Sequence, residues 1–254
     1  MLAVACCGDN DPVASGSTFV GGDDDDDGAE SNGCGSSAGD GETLAVQAQW
    51  EIPSYATGAS SVFTDLYASG QQRLFLVNDQ QQCEIALVGG APDFDGSGSF
   101  CALTQGYSLR GWTRLDGIDH VVDADSRAIL SGNGEDSYSL PAALGNPSGL
   151  ACDGERFWMS DGAGSALWVV DPGGEAPFSR QAPATGAVGV DFDGKQIWVL
   201  VGENVVEMAL DGSVCRSMSL GEQLSGFSVE PGSGQAWGVD ADENRLYHYQ
   251  LSND

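Results

Sequence analysis

Acidic or amide side chains recur at one position of a repeated strand pattern, and these residues are the best placed to bind a cation. Asn78, Asp123, Asp161 and Asp240 each follow, by three residues, the residue that anchors a predicted strand. Carboxylate and amide oxygens are ligands for calcium and acceptors for basic groups. The same residue types also cap hairpins by accepting backbone N–H groups. We predict that the four residues form a rim, which is either a binding site or a set of turn caps.

Other residues with catalytic chemistry are few and scattered. His120 and His248 are the only histidines, and a zinc site would require a tighter cluster of ligands. The sequence contains neither a G-x-S-x-G nucleophile motif nor a phosphate-binding glycine loop. The sequence therefore predicts no catalytic residue and no cofactor, with calcium as the one candidate ion and its ligands unknown.

The elements that position the rim follow a repeat of about 40 residues. Trp158, Trp198 and Trp237 mark three copies of this repeat. Asp-Gly dipeptides, which favour two-residue hairpins, stand at Asp116, Asp153, Asp193 and Asp211. The pattern is typical of β-propeller blades, and five copies can be placed between residue 62 and the end of the chain.

One strand is left over at each end of this pattern. The segment Leu44 to Glu51 precedes the first blade, whereas the last blade has three strands and ends with Arg245 to Leu251. Pairing the two segments would remove both exposed edges. We predict an all-β propeller with five blades of four antiparallel strands, closed by the N-terminal strand pairing with the last blade.

The clearest copy, Gly149 to Asp171, resembles the repeats of NHL, YVTN and SMP-30/gluconolactonase-type propellers. Through Asp153-Gly154 and Ser160-Asp161-Gly162 it also resembles plant-type glutaminyl cyclases. The resemblance implies the architecture and, as an alternative function, an enzyme with its site at the propeller axis. Gluconolactonases hold a cation with Glu, Asn and Asp placed just before the glycine of each inner strand. The corresponding residues here are poor ligands for a hard cation: Arg110, Ser148, Val188 and Ser225.

The N-terminal segment resembles the end of a bacterial lipoprotein signal. Ala3-Val4-Ala5 precedes Cys6, the residue that would be lipidated, although only five apolar residues precede it and no basic residue does. Residues 1–43 contain ten acidic and no basic residues, and they are rich in Gly, Ser and Asp. Such a segment cannot bury enough apolar area to fold. We predict a disordered acidic tether over 1–43 and the propeller over 44–254.

The seven cysteines indicate an oxidising compartment if Cys6 carries a lipid. Cys83 and Cys101 lie on the third and fourth strands of the first blade, and we predict a disulfide between them. Cys152 and Cys215 fall on different blades and are expected to be buried thiols, while Cys34 has no predicted partner.

The formal net charge of −29 excludes nucleic acid as a partner, because phosphate binding needs clusters of Lys and Arg. We predict a monomeric lipoprotein of the bacterial cell envelope, in the outer membrane or periplasm, or a secreted protein. It would touch the membrane only through its lipid. It would act as a binding or scaffold module for a protein, glycan or small molecule. The alternative is a hydrolase, a lactonase or a cyclase resembling glutaminyl cyclases.

Overall fold

The computed structural model describes residues 34, 42–66, 72–78, 81–96, 100–103, 107–115, 117–132, 137–172 and 177–251. These residues form β-strands and a single 3-10 turn, Ser54–Ala56. The strands group into five sheets in which neighbouring strands pair antiparallel, apart from one N-terminal strand that pairs in parallel at the edge of the fourth blade. The predicted five-bladed all-β propeller is therefore confirmed.

The blades are numbered from the N-terminus. The first contains β3 (Ser61–Leu66), β4 (Gln72–Val77), β5 (Gln81–Val88), β6 (Ala91–Asp93) and β7 (Phe100–Leu103). The second contains β8 (Leu109–Leu115), β9 (Ile118–Asp123), β10 (Ala128–Ser131) and β11 (Ser137–Ser139). The third contains β12 (Pro147–Cys152), β13 (Phe157–Asp161), β14 (Ala166–Val170) and β15 (Phe178–Gln181). The fourth contains β16 (Ala187–Phe192), β17 (Ile197–Val201), β18 (Asn204–Met208), β19 (Val214–Ser219) and the added β1 (Glu42–Thr43). The fifth contains β20 (Gly226–Glu230), β21 (Gln235–Asp240), β22 (Arg245–Gln250) and β2 (Ala45–Glu51).

The closing strand pairs as the sequence predicts. β2 runs antiparallel to β22, from Ala45 opposite Gln250 to Glu51 opposite Arg245. This pairing supplies the fourth strand that the last blade lacks. It therefore joins the two ends of the propeller domain by main-chain hydrogen bonds.

The inner strands β3, β8, β12, β16 and β20 contact one another in cyclic order around the axis. Glycine permits this approach. A Cβ atom on Gly111 would lie 2.6 Å from the backbone nitrogen of Leu150, and one on Gly149 would lie 2.9 Å from that of Val190. Real side chains do not fit at these distances, so the close approaches of β8 to β12 and of β12 to β16 require glycine at these two positions.

Side chains also join neighbouring inner strands. Oδ2 of Asp191 accepts the backbone N–H of Val229 at 2.7 Å, and Oγ of Ser228 accepts that of Thr64 at 3.1 Å. In the third blade the matching position is Ala151, whose side chain cannot accept a hydrogen bond from the fourth blade. Instead, Oδ1 of Asp191 accepts the N–H of the next residue in its own strand, Phe192, at 2.8 Å. One carboxylate thus serves two backbone donors at the centre of the ring.

A second recurring bond fixes the blade tryptophans. The indole N–H groups of Trp158 and Trp198 donate to Oδ2 of Asp153 and Asp193 at 2.7 and 2.8 Å. The other oxygen of each aspartate accepts backbone N–H groups of the Asp-Gly turn. The turn residue and the buried ring therefore position each other, and the tryptophans are core residues with at most 2% of their surface exposed.

The first blade contains an additional short strand, because Ala91–Asp93 form β6 and pair with β5. At the N-terminus, strand pairing starts before residue 44, because Glu42–Thr43 pair in parallel with β19. The backbone N–H of Leu44 also donates to Ser219 O at 2.8 Å. The end of the predicted tether thus takes part in the fourth blade.

The Asp191 carboxylate gives a graded test of the central hydrogen bonds. Asp191→Ala should lower the free energy of unfolding by about 2–6 kcal/mol, because it leaves two buried N–H groups without their acceptor at about 1–3 kcal/mol each. Asp191→Asn retains one acceptor oxygen and should cost about half as much. Ser228→Ala, which removes one such acceptor, should resemble the Asn variant. Urea unfolding measures all three, and equal stability of Asp191→Ala and wild type would contradict this account.

Candidate functional site

The axial cavity is lined mainly by apolar side chains and glycine. Its volume is about 10 Å³, room for about one water molecule and far below that of small-molecule pockets. Every inner strand contributes at least one apolar side chain to the lining, among them Phe63, Trp112, Leu150, Val190 and Phe227. Among the described residues that line the cavity, Asp191 alone is ionisable, and both of its oxygens accept backbone N–H groups.

The residues that precede the inner-strand glycines do not converge on the axis as ligands. Ser148 Oγ donates to Ala187 O at 2.9 Å, which joins the third and fourth blades. Ser225 Oγ accepts the backbone N–H of Ala241 at 3.0 Å. Val188 is apolar. These positions therefore hold the strands together, and they do not form the ligand set of a gluconolactonase-type cation.

At the rim, Asp161 accepts hydrogen bonds from two different loops. Its carboxylate accepts the backbone N–H groups of Gly145 and Asn146, in the connection from the second blade, at 2.9 Å each. It also accepts Ala163 N–H in its own hairpin at 3.0 Å. The side chain is buried. Asp161 thus ties the hairpin to the loop that enters its blade.

Asp123 repeats this arrangement in the second blade. It accepts the backbone N–H of Ser108 from the preceding connection at 2.9 Å and that of Ser126 from its own hairpin at 3.1 Å. Oδ1 of Asp240 accepts the N–H groups of Asp242 and Glu243 at 2.9 and 3.0 Å. Each residue therefore has the hydrogen bonds of a turn cap.

Asn78 is the amide member of the set. Its Oδ1 accepts the Gln81 N–H at 2.9 Å, and its Nδ2 donates to Thr57 O at 3.0 Å. The structure places all four rim residues where the second strand of a blade enters its hairpin, as the register predicts, and each one is bonded to nearby backbone. A binding role for these residues stays a prediction.

These bonds change the acidity of the capping carboxyls. Burial alone would raise the pKa of Asp161, but hydrogen bonds from the backbone N–H groups of residues 145, 146, 163 and 164 outweigh burial and lower the pKa. For Asp123, burial also acts to raise the pKa. Hydrogen bonds from the Ser126 side chain and from the N–H groups of Ser108, Ser126 and Asp125 reverse that effect. Both groups are held in the charged form.

The hairpins leave other carboxylates facing solvent. Asp125, Glu203, Asp242 and Glu243 are exposed and belong to the same set of second-to-third-strand hairpins as the caps. Two residues in these turns, Arg127 and Asn244, adopt positive φ. Arg127 donates to Leu144 O and Asn244 donates to Ile52 O. We call the four exposed acidic residues the hairpin acids.

The histidines occupy strand positions. His120 Nδ1 lies 2.9 Å from Ile118 O, and His248 stacks on Trp237 with ring centroids 4.3 Å apart. Burial lowers the pKa of His248. Within the described residues, no group of three or more His, Cys, Asp or Glu side chains could hold a metal ion.

The cysteines differ from the sequence prediction at one residue. Cys34 and Cys215 form a disulfide between residues 181 apart in the chain, so the expectation of a buried thiol at Cys215 is wrong. Cys152 is a buried thiol that forms no disulfide among the described residues, as expected. Cys83 is disulfide-bonded, and Cys101 lies opposite it in the β5–β7 register. The Cys101 side chain and the whole of Cys6 lie outside the described part of the chain, so the predicted Cys83–Cys101 bond and the lipidation stay predictions.

Asp161 provides a test that separates capping from cation binding. Asp161→Ala should lower the free energy of unfolding by at least about 1–3 kcal/mol, because buried N–H groups lose their acceptor. Millimolar calcium should not raise the melting temperature of the wild type. A calcium-dependent rise that the variant lacks would show that the rim binds a cation, since a ligand of the folded form stabilises it by mass action.

The lowered pKa of Asp161 predicts a dependence on pH. An Asp whose pKa is lower in the folded state contributes stability above its unfolded pKa, near 3.8, and that stability is lost as pH falls through the folded value. The stability difference between wild type and Asp161→Asn should therefore be largest at pH 6 and shrink at pH 3. Urea unfolding at both pH values measures it, and a difference independent of pH would contradict the assignment.

Comparisons with known proteins support the fold. Neither a protein-family model nor a curated protein matches this chain. A glutaminyl cyclase from Myxococcus xanthus is similar with a TM-score of 0.63 and 17% identity, over 84% of this chain and 97% of that one. The virginiamycin B lyase of Staphylococcus aureus gives 0.51 and 12%, over 83% and 90%. A chain of a nidogen/laminin complex gives 0.51 and 15%, over 70% and 73%. At these identities the likeness shows the propeller fold.

Proposed function

We propose that this protein is a non-catalytic propeller of the bacterial cell envelope, anchored by a lipid at Cys6, which binds a basic partner through the hairpin acids. The observation that carries this proposal is the chemistry of the axis. Its lining is mainly apolar, and Asp191, the one ionisable group among the described lining residues, is occupied by backbone donors. A catalytic propeller needs several polar groups converging on a substrate.

The disulfide supports the location. Cytosolic thiols are kept reduced, whereas exported proteins keep their disulfides. Cys34–Cys215 joins residues far apart in the sequence and links the N-terminal segment to the fourth blade. Cys83 is also disulfide-bonded. Among the described residues no helix has the length and apolarity to cross a bilayer. In this proposal, attachment depends on the lipid at Cys6.

The proposed anchor has a short reach. Because Cys34 is bonded to the fourth blade, only the residues between Cys6 and Cys34 could separate the domain from its lipid. A fully extended chain spans about 3.3–3.6 Å per residue, which limits the separation to roughly 100 Å. The module would stay close to the membrane surface that holds it.

The anchor can be tested by metabolic labelling. Expressed with a full lipoprotein signal ahead of Met1, the chain should incorporate a labelled fatty acid and partition with membranes. Cys6→Ser should abolish both, whereas Cys152→Ser, which alters the buried thiol, should not. Labelling that persists in Cys6→Ser would reject Cys6 as the lipid site.

The hairpin acids lead us to expect a cationic ligand. They come from three blades and face solvent at one end of the ring, and carboxylates clustered on one face attract cations. Replacing Asp125, Glu203 and Asp242 by their amides should weaken binding of an oligolysine probe and reduce its salt dependence.

The matched control neutralises acids at the opposite end of the ring. Glu155 and Asp211 are exposed in first-to-second-strand and third-to-fourth-strand turns. Calorimetric titration at two salt concentrations compares Glu155→Gln/Asp211→Asn with an Asp125→Asn/Asp242→Asn variant of equal net charge. Equal losses of affinity in the two variants would mean that the probe responds only to total charge. Specific binding by the hairpin acids would then be rejected.

The alternative function is that of an enzyme resembling the Myxococcus xanthus glutaminyl cyclase, because the likeness covers 97% of that chain. Cyclising an N-terminal glutamine releases ammonia, so a peptide with this terminus and a coupled ammonia assay provide the test. We expect no release above the rate without protein. Turnover that Asp191→Asn abolishes without unfolding would overturn the non-catalytic proposal.

A further inference from the structure

The N-terminal segment crosses the seam between the fourth and fifth blades and is held on both sides of it. Cys34 is bonded to Cys215 on β19, the outer strand of the fourth blade. β1 then pairs with β19 through Glu42 opposite Met218 and Thr43 opposite Ser219. Directly after it, β2 pairs with β22 in the fifth blade.

Leu44 lies between these two attachments and fills the seam. It is 4% exposed and packs in one apolar cluster with residues of both blades, among them Met218, Leu220, Tyr247 and Tyr249. The segment therefore contributes packing to the seam as well as backbone hydrogen bonds. The closing strand β2 is the direct continuation of this attachment.

The disulfide changes the length of chain that ring closure must fix. Ala48 pairs with His248 in the closing sheet, and about 200 residues of chain separate them. Through the Cys34–Cys215 bond the path is about 14 residues from Ala48 to Cys34 and about 33 from Cys215 to His248, about 47 in all. The equilibrium constant for closing a flexible loop falls with about the 3/2 power of the loop's length.

We propose that Cys34–Cys215 acts as a clasp for the ring, holding β2 close to β22 in openings that also release the β1–β19 pairing and the Ile52–Asn244 hydrogen bonds, which otherwise hold both ends of β2. In such openings, shortening the path from about 200 to about 47 residues favours reclosure by at most about ninefold, the value for a flexible loop. This effect on reclosure is specific to the β2–β22 pairing. The outer strand of the third blade, β15, is joined to β14 by a short connection that the disulfide leaves unchanged.

Hydrogen exchange of the full chain tests the clasp. In Cys34→Ser/Cys215→Ser the β2 amides that bond to β22 should exchange several-fold faster than in wild type, at most about ninefold, while the β15 amides that bond to β14 change by less than about twofold. Gln196→Ala is the matched control, because Gln196 Nε2 lies 3.5 Å from Cys215 Sγ and this variant keeps the disulfide. Its β2 amides should exchange as in wild type.

A second variant keeps both cysteines and serves if the double variant fails to fold. Inserting 47 Gly/Ser residues directly after Cys34 doubles the path, which should speed exchange of the β2 amides about threefold. Unchanged β2 exchange in the insertion variant would reject the clasp. Equal acceleration of β2 and β15 in the double variant would also reject it, because the disulfide would then stabilise the domain only as a whole.

Discussion

The antiparallel pairing of β2 with β22 is the interaction on which the rest of the structure depends. A propeller is a closed ring of sheets, and each seam is packed only while the blades on both sides stay in place. β2 also carries side chains into the next seam. Trp50 stacks on Trp237 with centroids 5.6 Å apart, and Ile52, just after β2, packs with Val62 and Leu74 of the first blade. Opening the closing pair would therefore disturb the inner strand of the first blade as well.

The sequence predicted this architecture because its signals arise from local physics. The five-residue spacing from Asp153 to Trp158 recurs from Asp193 to Trp198 because one carboxylate caps the turn and binds the indole. In the fifth blade a longer turn intervenes, and Glu230 binds Trp237 at 2.7 Å instead. In the second blade His120 takes the place of tryptophan and lies against its own backbone. That blade therefore lacks the Asp–Trp signal of the third and fourth blades, although its sheet is complete.

What the sequence could not decide depends on three-dimensional neighbours. An aspartate that caps a turn and one that binds a ligand have the same identity and spacing. Asp161 is recognisable as a cap only once Gly145 and Asn146 are seen to donate to it. The Cys34–Cys215 bond depends on the return of the N-terminal segment to the fourth blade, which no local pattern encodes. The role of Asp191 could not be predicted, because the sequence of one strand does not show that the matching residue of the adjacent inner strand, Ala151, has no side-chain acceptor.

The buried carboxylates hold the structure together, whereas the exposed carboxylates are available for recognition. Those of Asp191, Asp123 and Asp161 are buried, and backbone donors from two different strands or loops occupy each of them. A ligand that used these oxygens would have to replace hydrogen bonds that hold blades or loops together. Asp125 and Asp242 lie two residues beyond a cap, and their side chains are free to face solvent. A propeller built in this way can vary its binding surface at the hairpin acids without disturbing the caps, so recognition is best sought at these exposed turn positions.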